Sequence, residues 1–485
     1  MNINNKDYSK KFIIIMVLAV IMCLLMFFLP ETIFNEPIKK VDLLSDVRSA
    51  APTVEEDDYT KWIAHDEYTN NDRNNNENIP DPLLQDSMKA SAQDLQTPQP
   101  PQPPQPPQPQ LTPEQMLNVD IEDFSSDRRG LRHFFAALNN ANNMQRPVRI
   151  AFLGDSFIEG DIMVADFRQQ MQSRFGGNGV GFIPIESVVA QYRPTIKQSA
   201  NGWKSYSIIK NSKQKYVLSG MLFEPQSGTA SVNFQTTDMF PSLQEVTTLK
   251  FIYSANNQAE MLLKQGEETF AYILPEESTG VTQYELKGTF RQGTLQFRNA
   301  QGLKAIGIAL EDNKGVVVDN FSLRGNSGII MTNLDAVTCR NFQEIRPYDL
   351  IILQYGLNIV SDSVRNYTWY GKQMVKVVEH IRKCFPGADV MIMGVSDRSH
   401  KRNGEYRTMP GVPALLKAQR QTAQDTGVTF WSVFAAMGGQ NSMIKYVKSN
   451  WASKDYTHLN FRGGKEVANA LYNALLKEKE LYDSE

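Results

Sequence analysis

The stretch "RPVRIAFLGDSFIEGD", residues 146–161, decides how the rest of the chain is read. Its run "VRIAFLG" has the length and apolar character of a strand buried on both faces. The run ends in Gly-Asp-Ser and passes into an acidic, helix-like segment. Two readings follow. In one, the strand leaves the core through a turn and Ser156 caps the next helix. In the other, Ser156 is a nucleophile at the carboxyl end of a strand, with its base supplied from elsewhere in the chain.

The flanking sequence favours a parallel sheet. "GVVVDNFSL", "DLIILQYG", "DVMIMGV" and "VTFWSV" are predicted strands, with helical segments such as "TWYGKQMVKVVEHIRKCF" and "ALLKAQRQTAQ" between them. "GGKEVANALYNALLKEKELY" closes the chain as an amphipathic helix. Upstream, "IEDFSSDRRGLRHFFAALNNANN" spaces Phe124, Leu131, Phe134, Phe135 and Leu138 as one helical stripe. "IMVADFRQQMQSRFGG" is a further predicted helix, ended by Gly176 and Gly177. Strands alternating with helices predict an α/β fold whose sheet is covered on both faces. The pattern breaks between about 187 and 312, where "KYVLSGMLF", "ASVNFQT", "TLKFIYS", "EMLLKQ", "TFAYILP", "YELKGTF", "TLQFRNA" and "KAIGIALE" are short runs separated by turn residues. That spacing predicts an inserted all-β, jelly-roll-like sandwich.

The amino terminus reads differently. Lys6, Lys10 and Lys11 precede an apolar run from Phe12 to Leu29, whose 18 residues reach roughly 27 Å as a helix, about the thickness of a bilayer core. "FFLPETIF" offers no small-x-small cleavage site. Lysines before the run predict a cytoplasmic amino terminus and an exported remainder, hence an uncleaved signal anchor in the inner membrane. The next segment, with "EEDD", "NNDRNNNEN" and "TPQPPQPPQPPQPQ", lacks the apolar content to fold and is read as a disordered, Pro/Gln-rich linker. The expected organisation is therefore 1–11 cytoplasmic, 12–29 transmembrane anchor, 30–115 linker, 116–187 and 313–485 the two parts of the α/β domain, and 188–312 the β insertion.

With a net charge of -3 and no basic stripe, the 485-residue chain gives no electrostatic case for nucleic acid. Its three cysteines and five histidines are too scattered for a metal site, and no cofactor is expected. Cys339 and Cys384 lie in the exported part and are open to two readings, a disulfide or two buried thiols.

The polar residues just past the predicted strands should share one rim. They are Asp155 and Ser156; Gly325, Asn326 and Ser327; Gly356 and Asn358; Ser396, Asp397 and Arg398; and, before the last helix, Asp455 and His458. Acyl transfer needs a nucleophile, a base, a group orienting the base, and donors for the oxyanion. Ser156, His458 and Asp455 can fill the first three roles, with Asp455 three positions before the imidazole it would orient. The backbone N–H groups of Ser156 and Gly325 and the Asn358 amide can fill the fourth. Each has an alternative: a helix cap for Ser156, a solvated pair for Asp455 and His458, a turn former for Asn358. Other candidates are weaker. "GGNGVG" follows a helix and does not join a strand to one, unlike a phosphate loop. Glu159 and Asp161, two residues apart, point to different faces and read as helix-start charges. His65 falls in the linker, His133 and His380 on predicted helices. His400 falls in a polar loop with Arg398, Lys401 and Arg402 that reads as solvated.

The ordered blocks "GDS", "RGNSG", "QYGLN" and "DYTH" resemble those of the SGNH (GDSL-type) hydrolase superfamily. The resemblance implies a flavodoxin-like three-layer sandwich with Ser156 as nucleophile, Gly325 and Asn358 at the oxyanion, and Asp455 and His458 as acid and base; Gly328 is the other glycine of its block. The long first block and the β insertion after it are similar to Gram-negative peptidoglycan O-acetylesterases, although Phe157 stands where those often carry His. The likeness implies a serine acetylesterase acting in the periplasm on an O-acetylated glycan. A polysaccharide O-acetyltransferase served by a membrane acyltransferase, and a non-catalytic glycan-binding protein, are the alternatives.

Overall fold

Val148–Gly154 is buried at every position, which its uninterrupted apolar run requires once both faces of the sheet are covered. It lies second in a six-stranded sheet ordered Val316–Ser322, Val148–Gly154, Leu350–Gln354, Asp389–Gly394, Thr429–Ser432 and Glu122–Asp123. The first five strands are parallel and the last is antiparallel. Taken in sequence, the parallel strands run 2-1-3-4-5, the flavodoxin-like order whose direction reverses beside the first strand. In open parallel sheets ligands collect at such a reversal, and here Ser156 follows the carboxyl end of Val148–Gly154. The computed structural model describes residues 118–484 other than 212, together with the backbone of a separate two-stranded pair, Thr32–Ile33 and Glu36–Pro37.

The helices form two packed groups. Arg132–Asn139, Val164–Phe175 and Phe461–Ser484 make one, and Ala336–Ile345, Thr368–Cys384 and Gly411–Thr426 the other. The helix expected from the stripe beginning at Phe124 is shorter than its spacing implied. Asp123 accepts the N–H groups of Ser125 and Gly130 at 2.8 and 2.7 Å, a local alternative that competes with helix formation. Glu122–Asp123 instead extends the sheet beside Thr429 and Phe430. Cys339 and Cys384 are free and buried.

The insertion is two antiparallel sheets. One is ordered Glu277–Phe290, Val246–Ala255, Leu303–Glu311, Met221–Pro225 and Trp203–Ser207, with Gly181–Ile183 also paired to Leu303–Glu311. The other is ordered Glu268–Leu274, Ala259–Gln265, Gln292–Arg298, Ala230–Gln235 and Lys197–Asn201. Aromatic rings join them: Phe297 of the second sheet lies 4.6 Å from Phe251 and 5.4 Å from Trp203 of the first. Gly181–Ile183 begins this pairing ahead of residue 188. Among the described residues no helix is long and apolar enough to cross a membrane; the run 12–29 lies outside them, as does the linker apart from the short pair.

A buried charge cluster holds the two folding units together. Glu311, at the end of a sandwich strand, meets Arg149 of the first parallel strand at 2.6 Å, Lys250 of the sandwich at 3.0 Å and Arg346 at 2.7 Å. Arg346 also grips Asp319 of Val316–Ser322 through two bonds of 2.8 and 2.9 Å, and Tyr348 donates its hydroxyl to the same carboxylate at 2.6 Å. Burial alone would raise the Glu311 carboxyl, but Arg149, Arg346 and Lys250 outweigh it and hold it well below the usual range. Removing one partner of such a cluster leaves uncompensated charge, costing about 3–5 kcal/mol. Arg346→Met is therefore expected to lower the unfolding free energy by about 3–5 kcal/mol, measured as a shift of the urea midpoint, whereas exposed Arg291→Met should change it by under about 1 kcal/mol.

Candidate active site

Ser156 lies two residues past the first parallel strand and is 8% exposed. Its Oγ is 3.0 Å from His458 Nε2, and His458 Nδ1 is 2.7 Å from Asp455 Oδ2. The cap reading of Ser156 fails, because the next α-helix begins only at Val164 and the hydroxyl bonds the imidazole instead. The Asp455–His458 turn is built by its own carboxylate. Asp455 Oδ1 accepts the N–H groups of Thr457 and His458 at 2.9 and 3.1 Å, and Tyr456, the residue after Asp455, takes a positive φ of 57°. Burial would raise the Asp455 carboxyl. The His458 side-chain bond and the two backbone N–H groups outweigh that and hold it below the usual carboxylate range. An ionised carboxylate there fixes the proton on Nδ1 and leaves Nε2 to accept the proton of Ser156.

The remaining block residues meet at Asp155, the residue before the serine, and at the strand end beside it. Asn358 donates its amide to Asp155 Oδ2 at 3.2 Å and to the Asn326 carbonyl at 3.0 Å. Leu323 N–H donates to the Gly154 carbonyl at 2.9 Å, which ties the 323–328 loop to the strand that presents Ser156. The structure separates the two glycines of this loop: Gly328 N–H is spent on Asn326 Oδ1 at 2.8 Å, whereas Gly325 lies exposed. Gly325 is flanked by Arg324, ion-paired to Glu159, and by Asn326, which holds Asn358. Among the described residues no group of three or more His, Cys, Asp or Glu side chains is placed to hold a metal ion.

Several expectations for the rim need correction. Asp155, Ser396 and Asp397 are 0% exposed and lie beneath the rim. Asp155 accepts Phe157 N–H at 2.9 Å as well as the Asn358 amide. Its burial pushes the carboxyl up to about 7, against the lowering pull of Phe157 N–H and of His458. Glu159 and Asp161 are not charges at the start of an exposed helix; both are buried in ion pairs. Asp161 binds Arg168 at 3.1 Å, Arg193 at 2.9 Å and Asn320 at 2.9 Å, and Asn320 also holds the Ile158 carbonyl at 2.8 Å. The turn that follows the serine is thereby fixed to the neighbouring strand. The polar loop around His400 is a β-hairpin, Ser399–Arg402 paired with Glu405–Thr408. Its turn, Asn403-Gly404, has φ of 51° and 87°, the left-handed pair that Asn-Gly favours in hairpins.

No family model and no curated protein matches the chain. Among solved structures, one described as a peptidoglycan O-acetylesterase in action is 20% identical, covers 75% of this chain and 99% of its own, and superposes with a TM-score of 0.61. A GDSL-like lipase from Parabacteroides merdae (14% identity, 33% of this chain and 72% of that one, TM-score 0.27) and a family two carbohydrate esterase from Cellvibrio japonicus (11%, 59% and 98%, TM-score 0.24) align too loosely to bear on the argument. The chain's α/β fold with added antiparallel sheets is shared with the O-acetylesterase structure.

Asp155 gives the site a pH signature. Its carboxyl titrates near 7 in the fold but near 3.9 in an unfolded chain, so the unfolded chain holds fewer protons between those values. Stability should fall as pH rises from about 4 to 7 on this account. Asp155→Asn, which stays neutral, is expected to flatten that part of the profile in urea titrations at successive pH values; an unchanged slope would remove Asp155 as its cause.

Proposed function

We propose that the chain is a membrane-anchored serine esterase of the SGNH type that removes O-acetyl groups from an extracytoplasmic carbohydrate, peptidoglycan or another polysaccharide, through an acetyl-enzyme. The observation that carries this reading is the unbroken line from Ser156 Oγ to His458 Nε2 at 3.0 Å and from His458 Nδ1 to Asp455 at 2.7 Å. In the proposed reaction Ser156 Oγ attacks the acetyl carbonyl while His458 takes its proton, and Asp455 stabilises the imidazolium. The oxyanion accepts from Ser156 N–H and Gly325 N–H, and from an Asn358 amide N–H released in part from its present acceptors. His458 then returns the proton to the departing sugar hydroxyl. Water, deprotonated by the same imidazole, attacks the acetyl-serine and releases acetate.

Lys6, Lys10, Lys11 and the apolar run to Leu29 support the inner-membrane anchor. The proline-rich segment supports a spacer holding the catalytic domain in the periplasm. The partners implied are the O-acetylated glycan and the membrane. With the purified full chain and O-acetylated glycan as substrate, Ser156→Ala should reduce acetate release to the uncatalysed background, and Asn358→Ala should lower kcat by about 10²–10³. Wild-type release no faster than that of Ser156→Ala would refute the esterase reading. Acetyl groups appearing on an added sugar acceptor in place of free acetate would replace hydrolysis with transfer.

A further inference from the structure

The hairpin at residues 399–408 is pinned to both sides of the catalytic groups. Ser399 N–H donates to the Tyr456 carbonyl at 3.0 Å, inside the Asp455–His458 turn. Tyr406 stacks on Tyr456 with ring centroids 3.6 Å apart and planes at 12°. On the Asn358 side, His400 meets Asp362 at 3.3 Å, and Arg398, at the hairpin's base, donates to the Leu357 carbonyl at 3.2 Å. A short two-stranded hairpin is marginal by itself; these contacts fix it beside the turn that carries His458.

Its charge opposes that of the rest of the molecule. The whole chain carries -3, yet Arg398, Lys401, Arg402 and Arg407 face only one carboxylate within the segment, Glu405. Of the carboxylates around it, Glu405 is ion-paired to Arg407 at 2.9 Å, while Asp362 and Asp455 contact the imidazoles of His400 at 3.3 Å and His458 at 2.7 Å; with Lys454 counted, the cations still outnumber the carboxylates. Lys401 and Arg402 are exposed, as is Lys454 beside Asp455, and none of the three has an ion-pair partner among the described residues. Lys401 lies directly across the hairpin from Tyr406, so a cation and a stacked aromatic pair neighbour the turn that carries His458. An exposed cation face far from a site serves solubility, but one immobilised at a nucleophile raises the local concentration of anionic ligands.

We propose that this hairpin is a substrate-binding element that selects O-acetylated glycans bearing carboxylates, with Lys401 and Arg402 contacting the anionic groups. The inference rests on the esterase reading. Carboxylates can be carried on the sugar ring or on peptide stems, and the arms of the test separate the two. The full chain is assayed on O-acetylated polygalacturonate, on O-acetylated peptidoglycan sacculi and on neutral O-acetylated xylan, at low and high salt. Lys401→Ala/Arg402→Ala should lower the ratio of kcat/KM on a carboxylate-bearing polymer to that on xylan by about five- to tenfold, with most of the loss in KM, and weaken its salt dependence. The polymer whose ratio falls identifies the carboxylate source. Equal ratios in wild type and variant on both anionic polymers would overturn the inference and leave the esterase reading intact. If no substrate releases acetate above the Ser156→Ala background, that reading fails. Retention of the Ser156→Ala chain on immobilised polygalacturonate or sacculi then decides the hairpin's role: loss of retention with Lys401→Ala/Arg402→Ala supports it, and undiminished retention overturns it.

Discussion

The contact between Ser156 Oγ and His458 Nε2 joins residues 302 positions apart, and the architecture can be understood as what makes that contact possible. Ser156 sits where the sheet order reverses, so the neighbouring strand ends can send their loops to it. The last helix, Phe461–Ser484, brings the imidazole. A Cβ on Gly464 would lie 2.5 Å from Met163 N, so only glycine lets this helix approach the segment just past the serine. The insertion does not disturb this arrangement because its ends lie side by side. Val316 N–H donates to the Gly176 carbonyl at 2.9 Å, and Asp312 N–H to the Asn178 carbonyl at 3.2 Å. A module whose entry and exit are adjacent can be added to a domain without prising it open.

Electrostatics divides the carboxylates by task. Glu311 is kept ionised by three cations at the junction between the units. Asp455 is kept ionised by His458 and backbone N–H groups. Asp155, one residue before Ser156, is desolvated and titrates near 7. It braces the Asn358 amide from below. Environments that push neighbouring carboxylates in opposite directions are a recurring property of sites built for proton transfer.

Much of this was legible in the sequence. The four parallel strands after the insertion and the one before it were readable as apolar runs, because strands buried on both faces cannot hide among polar residues. The candidate site residues were readable as residues following those strands, since an open parallel sheet gathers its polar loop residues at one end. Glu122–Asp123 was not readable: two residues set no period, and its pairing depends on Thr429 some three hundred positions away. Lys197–Asn201 and Trp203–Ser207 were missed for a related reason, their exposed faces being polar and their apolar members few. The hairpin beside the site did carry a signal, Asn403-Gly404. Flanking Lys, Arg and Glu residues lacked the alternating apolar pattern that usually accompanies such a turn.

The central claim is that Ser156 is made nucleophilic by His458. Reaction of the full chain with a fluorophosphonate, followed by mass spectrometry of the digested protein, tests it most directly. One covalent adduct on Ser156, formed at a rate that collapses in His458→Ala, is the expected result. An unmodified Ser156, or labelling at the same rate without the imidazole, would contradict the account.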